Sequence, residues 1–143
     1  MGRMDHIISA QDLDRRYGEG ETAVDALADV TVDFERSRLT AIMGPSGSGK
    51  STLMHLLAGL DRPTGGRVLV EGTDISSLDD KRLTELRREK FGFIFQFFNL
   101  LPVLSAEENI VLPLSIAGRK PDPEWLDQLI DTVGLTDRKT HRP

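Results

Sequence analysis

Gly44-Pro45-Ser46-Gly47-Ser48-Gly49-Lys50-Ser51 decides how the rest of this chain is read. The stretch has the form G-x-x-x-x-G-K-[ST], and both of its flanks suit that form. Before it, Leu39-Thr40-Ala41-Ile42-Met43 is a short apolar run that predicts a strand covered on both faces. After it, Leu53, Leu56, Leu57 and Leu60 fall at i, i+3, i+4 and i+7, one face of a helix that Gly59 stops. Strand, glycine-rich loop and helix in that order make a phosphate cradle. Glycines let successive backbone N–H groups turn inward with no Cβ in the way. The helix start adds free N–H groups and the positive end of its dipole. In such a cradle Ser46, Gly47, Ser48 and Gly49 offer their amides, Lys50 reaches the β- and γ-phosphates, and the Ser51 hydroxyl ligates Mg²⁺. Thr52 is placed to donate toward the α-phosphate. The expected ligand is a magnesium nucleoside triphosphate. The loop does not choose the base or the chemistry, and a small-molecule kinase stays open at this point. No N-K-x-D guanine signature is present, since neither Asn99 nor Asn109 precedes a lysine.

Working outward, Ala26, Ala28, Val30, Val32 and Phe34 alternate with Leu27, Asp29, Thr31, Asp33 and Glu35, which predicts a half-buried strand. A turn at Arg62–Gly66 leads to a strand at Arg67–Val70. Ser77 with Asp80 has the capping-box form and opens a charged helix reaching about Glu89. Phe91–Phe95 is expected to be another strand. Ser105 with Glu108 is a second capping box, and Pro113 is expected to bend or interrupt the helix behind it. Asp122-Pro123 starts a last helix with Trp125, Leu126, Leu129, Ile130 and Val133 inward, stopped by Gly134. The order of elements argues for an α/β class, with a β-rich and α/β core over residues 1–103 and a helical part over 104–143.

Composition narrows the classes. The chain has 143 residues, 18 Lys plus Arg against 23 Asp plus Glu, and a formal net charge of −5. That mild acidity argues against a nucleic-acid partner, which calls for a basic excess or stripe. With no cysteine there is no disulfide, zinc thiolate or catalytic thiol. His6, His55 and His141 are too scattered for a zinc site. Met1–Ser9 carries Arg3, Asp5 and His6 and is no secretory signal, and the apolar stretch Phe91–Leu104 is broken and shorter than a bilayer span needs. The chain reads as soluble and cytoplasmic.

With the loop, three further stretches resemble the ATPase subunits of ATP-binding cassette (ABC) transporters. The first is Arg16-Tyr17-Gly18, followed by Val24. The resemblance implies that Tyr17 stacks on adenine and that Val24 packs near the ribose. The second, Gly92-Phe93-Ile94-Phe95-Gln96-Phe97-Phe98-Asn99-Leu100-Leu101-Pro102, is similar to the family's glutamine loop. It implies a strand that delivers Gln96 to Mg²⁺ or the attacking water, and a membrane permease docking near Phe97–Leu104. The third, Ser105–Ile110 with Leu112-Pro113-Leu114 and Val133-Gly134-Leu135, together with Gly59–Gly66, resembles the branch serving lipoprotein release and macrolide export. One departure is Ser37-Arg38, where the family usually has a glycine.

The resemblance also implies parts that these residues do not supply. The family uses an L-S-G-G-Q signature, an Asp-Glu pair after four apolar residues, and a switch histidine. Glu71 follows three apolar residues and Asp131 two, so neither is that acidic strand end. The implied fold is thus a P-loop NTPase core of ABC type with the start of a helical subdomain, broken off ahead of the signature. The implied roles are ATP and Mg²⁺ bound by Tyr17, Val24, Ser46–Thr52 and Gln96, with Lys50 and Gln96 catalytic and the general base outside this sequence. A second ATPase subunit and an integral membrane permease are the implied partners, at the inner face of the cell membrane. The alternative is a non-enzymatic ATP-binding fragment or partner protein.

Overall fold

The computed structural model describes residues 6–143. They fall into two compact units that divide between Arg87 and Arg88. The first unit is built on a four-stranded antiparallel sheet in the order β2-β1-β3-β4. Its strands are β1 (His6–Tyr17), β2 (Val24–Glu35), β3 (Gly65–Val70) and β4 (Thr73–Asp74). Helix α1 (Lys50–Leu57) lies against β1 and β2. Ala10, Leu13, Leu27, Leu56 and Val68 form the centre of the core, with Leu13, Leu56 and Val68 almost wholly enclosed.

Strand β1 has no counterpart in the sequence reading, and its register shows why. Ala10 pairs with Val32 and Leu13 with Val30, so β1 spends three residues where β2 spends two. The extra residue is a bulge at Asp12, whose φ is +48°. Its N–H donates to Thr31 Oγ1 at 2.9 Å, replacing a ladder bond. Buried Ala10 and Leu13 are therefore three apart, which hides the period of two.

A second bulge corrects the phase expected for β2. Between Val30 and Leu27 the strand gains a residue at Asp29, with φ +50°, and the freed Asp29 N–H donates to Asp14 Oδ1 at 2.8 Å. Val30, Val32 and Phe34 are half-buried as expected, but on the other side of the bulge Leu27 is buried and Ala28 exposed. One inserted residue exchanges the two faces. Gly66 closes the same corner, because a Cβ there would collide with the carbonyl oxygens of Gln11 and Asp12.

Helix α1 ends as its glycine foretells. Gly59 has φ +64°, its N–H donates to Leu56 O and the Leu60 N–H to His55 O, the paired bonds of a Schellman stop. Leu56 and Leu57 are buried, whereas Leu60, expected on the same face, is exposed because it follows that turn. Helix α2 (Asp80–Lys90) buries Leu83. Its cap is Asp79 rather than the Ser77–Asp80 box. Asp79 Oδ1 accepts the Arg82 N–H at 2.8 Å, while Ser77 Oγ donates to Asp74 O.

The second unit contains α3 (Ala106–Ile116) and α4 (Pro123–Thr132). The Ser105–Glu108 box is fully formed, with Ser105 N–H donating to Glu108 Oε2 at 2.7 Å and Glu108 N–H to Ser105 Oγ at 3.2 Å. Two further N–H groups of that first turn, of Ala106 and Glu107, donate to the carbonyls of His141 and Lys139. The helix runs through Pro113 without interruption. Asn109, one turn before it, holds the preceding loop: its side chain accepts from Leu101 N–H and donates to the carbonyls of Leu101, Leu104 and Ser105. Asp122 caps α4 by accepting the Trp125 N–H, and Leu126 and Ile130 are its buried face. Trp125 and Val133, expected inward, are more than half exposed.

Two expected strands are not strands here. Leu39–Met43 and Phe91–Phe95 carry no ladder pairing, and Leu39 and Ile94 are fully exposed. A central strand of a parallel sheet exists through neighbours on both sides. No described strand pairs with either run. The Phe91, Phe93 and Phe95 rings stack on one another instead, with centroids 6.2 and 5.6 Å apart.

Candidate nucleotide site

The loop of residues 44–49 closes on the start of α1 through glycine geometry. Gly47 and Gly49 have φ of +81° and +85°, the left-handed region in which a side chain is strained. Gly49 is also the N-cap of α1, and a Cβ on it would lie 2.5 Å from Ala26 O and 2.9 Å from Leu27 Cδ2. The missing side chain thus lets the loop press against β2. The first helical bond runs from Leu53 N–H to Gly49 O at 2.8 Å, so the N–H groups of Lys50, Ser51 and Thr52 precede the ladder. These are the donors that an anion at a helix start uses.

Lys50 ties the loop together. Its Nζ donates to Gly44 O at 2.9 Å and Pro45 O at 2.6 Å, and lies 3.4 Å from Ser48 Oγ. Pro45 O also accepts the Ser48 N–H at 3.3 Å. The ammonium therefore sits within the loop, on its carbonyls, where a polyphosphate held by the surrounding amides would meet it. Ser46 and Ser51 are exposed and Thr52 is half-buried.

Tyr17 and Val24 are cross-strand partners at the ends of β1 and β2. Ala26, whose carbonyl faces Gly49, is two residues along β2 from Val24, a distance of about 7 Å. The sheet end with Tyr17 and Val24 is thus brought beside the phosphate loop, although Val24 and Gly44 are 20 positions apart in the chain. The Tyr17 hydroxyl donates to Asp61 Oδ2 at 2.7 Å, and the Arg15 guanidinium carbon lies 4.3 Å above the ring centroid. Arg15 also pairs with Asp61 Oδ1 at 2.9 Å. Partial burial works to raise the Asp61 carboxyl, but the hydrogen bonds from Tyr17 and from the Arg62 backbone, with the Arg15 charge, hold it below the ordinary carboxylate value. Sequence reasoning missed Arg15 and Asp61 as site residues. Arg15 adjoins one stretch singled out there and Asp61 lies within another, but no spacing rule joins positions 15 and 61.

Gln96 belongs to the second unit and is exposed. It lies in an irregular segment, so no strand delivers it. Around it Phe97, Phe98 and Val103 are strongly exposed. A cavity of about 470 Å³ in the same unit is lined by Leu100, Ile110 and Leu135 with Arg138 and His141, and holds none of the predicted site residues.

A glycine loop of this form, closing on a helix start beside a sheet, defines a P-loop nucleotide-binding protein. Residues 27–143 match the profile of the family described as ABC transporter, and the chain belongs to that family. It is 45% identical over 142 residues to an uncharacterized ABC transporter ATP-binding protein of Thermotoga maritima, covering 98% of this chain and 61% of that protein. It is also 45% identical over 139 residues to the macrolide export ATP-binding/permease protein MacB of Marinobacter nauticus, covering 96% of this chain and 22% of MacB. Among solved structures, the dimeric post-hydrolysis state of the ATP-binding cassette MJ0796 bound to ADP and Pi aligns with a TM-score of 0.83 at 35% identity. That alignment covers 95% of this chain and 61% of the cassette. The chain therefore spans about three fifths of the cassette-sized relatives it matches.

Proposed function

We propose that this chain binds MgATP on the 44–51 loop and is the ATP-binding part of an ABC transporter. In the complete protein that site couples ATP binding and hydrolysis to transport or extrusion by a membrane partner. The observation that carries this reading is the contact of Gly49 with Ala26 and Leu27, which brings the polyphosphate cradle and the Tyr17–Val24 sheet end together. Adenine stacks on Tyr17, the ribose packs on Val24, and the amides of Ser46–Gly49 with Thr52 take the phosphates. Lys50 exchanges a loop carbonyl for a phosphate oxygen. Ser51 and Gln96 offer a hydroxyl and an amide oxygen, the hard donors that Mg²⁺ prefers. When bound, the ion neutralises charge on the phosphates; Lys50 and the helix-start N–H groups orient them.

The family resemblance supports the remaining assignments. Gln96 is assigned to the Mg²⁺ or the water, and the exposed apolar Phe97–Leu104 segment to a permease surface. A second cassette is the implied partner, in line with the dimeric MJ0796 structures. The assigned place is the inner face of the cell membrane; among the described residues no helix is long and apolar enough to cross it.

Titration of the chain with fluorescent MgATP tests the reading. Lys50→Ala removes a charge-assisted contact and is expected to weaken binding at least about tenfold. Equal binding by Lys50→Ala and the parent chain would show that ATP does not use this loop.

A further inference from the structure

Tyr17 is held from two sides by groups that play no part in the phosphate cradle. Arg15 and Tyr17 are two apart on β1 and so share a face of the sheet, which puts the guanidinium over the ring. Asp61 stands just past the Schellman stop of α1, where its N–H and that of Leu60 both donate to His55 O. From there one carboxylate oxygen takes the Tyr17 hydroxyl, and the other takes Arg15 and the Arg62 N–H. Among the described residues Arg15 Nε is buried with no hydrogen-bond partner, while the rest of the guanidinium pairs with Asp61 and lies over the Tyr17 ring.

We propose that Arg15 and Asp61 are positioning residues that lock the Tyr17 ring and reserve its uncovered face for one purine base. The proposal rests on the adenine-stacking reading above and extends it. Two physical effects follow from the geometry. An exposed tyrosine that is free to rotate loses that freedom when a base stacks on it, and a ring already tethered at its hydroxyl does not. A cation on one face also draws the ring's electron density toward itself, which lessens repulsion between the opposite face and the π-cloud of the base. Arg15 occupies the far face, so the base can use only the near one. Asp61 is kept ionised by the same contacts, so the tether persists at neutral pH.

The test compares MgATP with magnesium tripolyphosphate by calorimetry on the 143-residue chain. Tripolyphosphate has the tail and lacks the base. Asp61→Asn, Arg15→Ala and Tyr17→Phe are each expected to weaken MgATP by about threefold to tenfold, the range of one aromatic stacking contact. Tripolyphosphate affinity is expected to stay unchanged in all three, which also shows that each variant is folded. In a Tyr17→Leu background, adding Asp61→Asn is expected to cost nothing more. A parallel loss of MgATP and tripolyphosphate in Asp61→Asn would make the pair a support of the fold and overturn the proposal. Sensitivity to Tyr17→Leu with none to Asp61→Asn would overturn the proposal and leave stacking intact. Indifference to Tyr17→Leu would overturn stacking itself, and the proposal with it.

Discussion

At Gly49 two separate demands meet on one residue. Its φ of +85° suits glycine, and a single carbon on its Cα would strike Ala26 O. Gly49→Ala is therefore expected to destabilise the first unit by more than about 1 kcal/mol, and to weaken MgATP as the loop lifts from β2. Urea unfolding beside the ATP titration checks both. The glycine loop was legible because its signal is local, with glycines, lysine and hydroxyl inside eight consecutive residues. The Tyr17 tether was not, because Arg15 and Asp61 meet only when β1 and the end of α1 are already in place.

Among the elements, most of those ended by a local signal were read well, and strands were read unevenly, with β2 and β3 foreseen and β1 not. Gly59, Gly134 and Asp122 each stop or start a helix through bonds within a few residues. Ser105 and Glu108 do the same, and their box carries a pH dependence. The Glu108 carboxyl is held below its ordinary value of 4.5, first by the Ser105 backbone N–H, then by the Ser105 side chain, with Arg142 adding a smaller pull. A lowered folded pKa means that its stabilisation is complete above the ordinary glutamate range and is lost as pH falls through the lowered value. Glu108→Gln accepts the same N–H without titrating. An acid titration followed by far-UV circular dichroism should show less helix loss in that window for the variant than for the parent. Strands behaved differently. Bulges at Asp12 and Asp29 concealed β1 and turned the first half of β2 over, while Leu39–Met43 and Phe91–Phe95 have strand composition with no ladder.

For the whole molecule, binding and turnover are tested separately. Phosphoryl transfer depends on placing a water and stabilising charge, and no acidic residue in this sequence follows four apolar ones to do so. The chain is expected to bind MgATP while releasing phosphate no faster than Lys50→Ala does. A colorimetric phosphate assay on both proteins decides it, and a rate sensitive to Lys50→Ala would mean that the residues present suffice. The α/β class and a glycine loop opening a helix were visible from the sequence; the relation of the sheet end to the loop was not, since it rests on the side chain that Gly49 lacks.

Helix α1 has one further consequence. It starts at the residues proposed to grip phosphate and stops just short of the carboxylate that takes the Tyr17 hydroxyl. On the proposed reading its eight residues act as a gauge block between the two ends of one small ligand. One residue more would swing the far end by about 100° and push it out by about 1.5 Å, with the near end unmoved. Such a protein would still hold the tail of the nucleotide and would lose its purchase on the head.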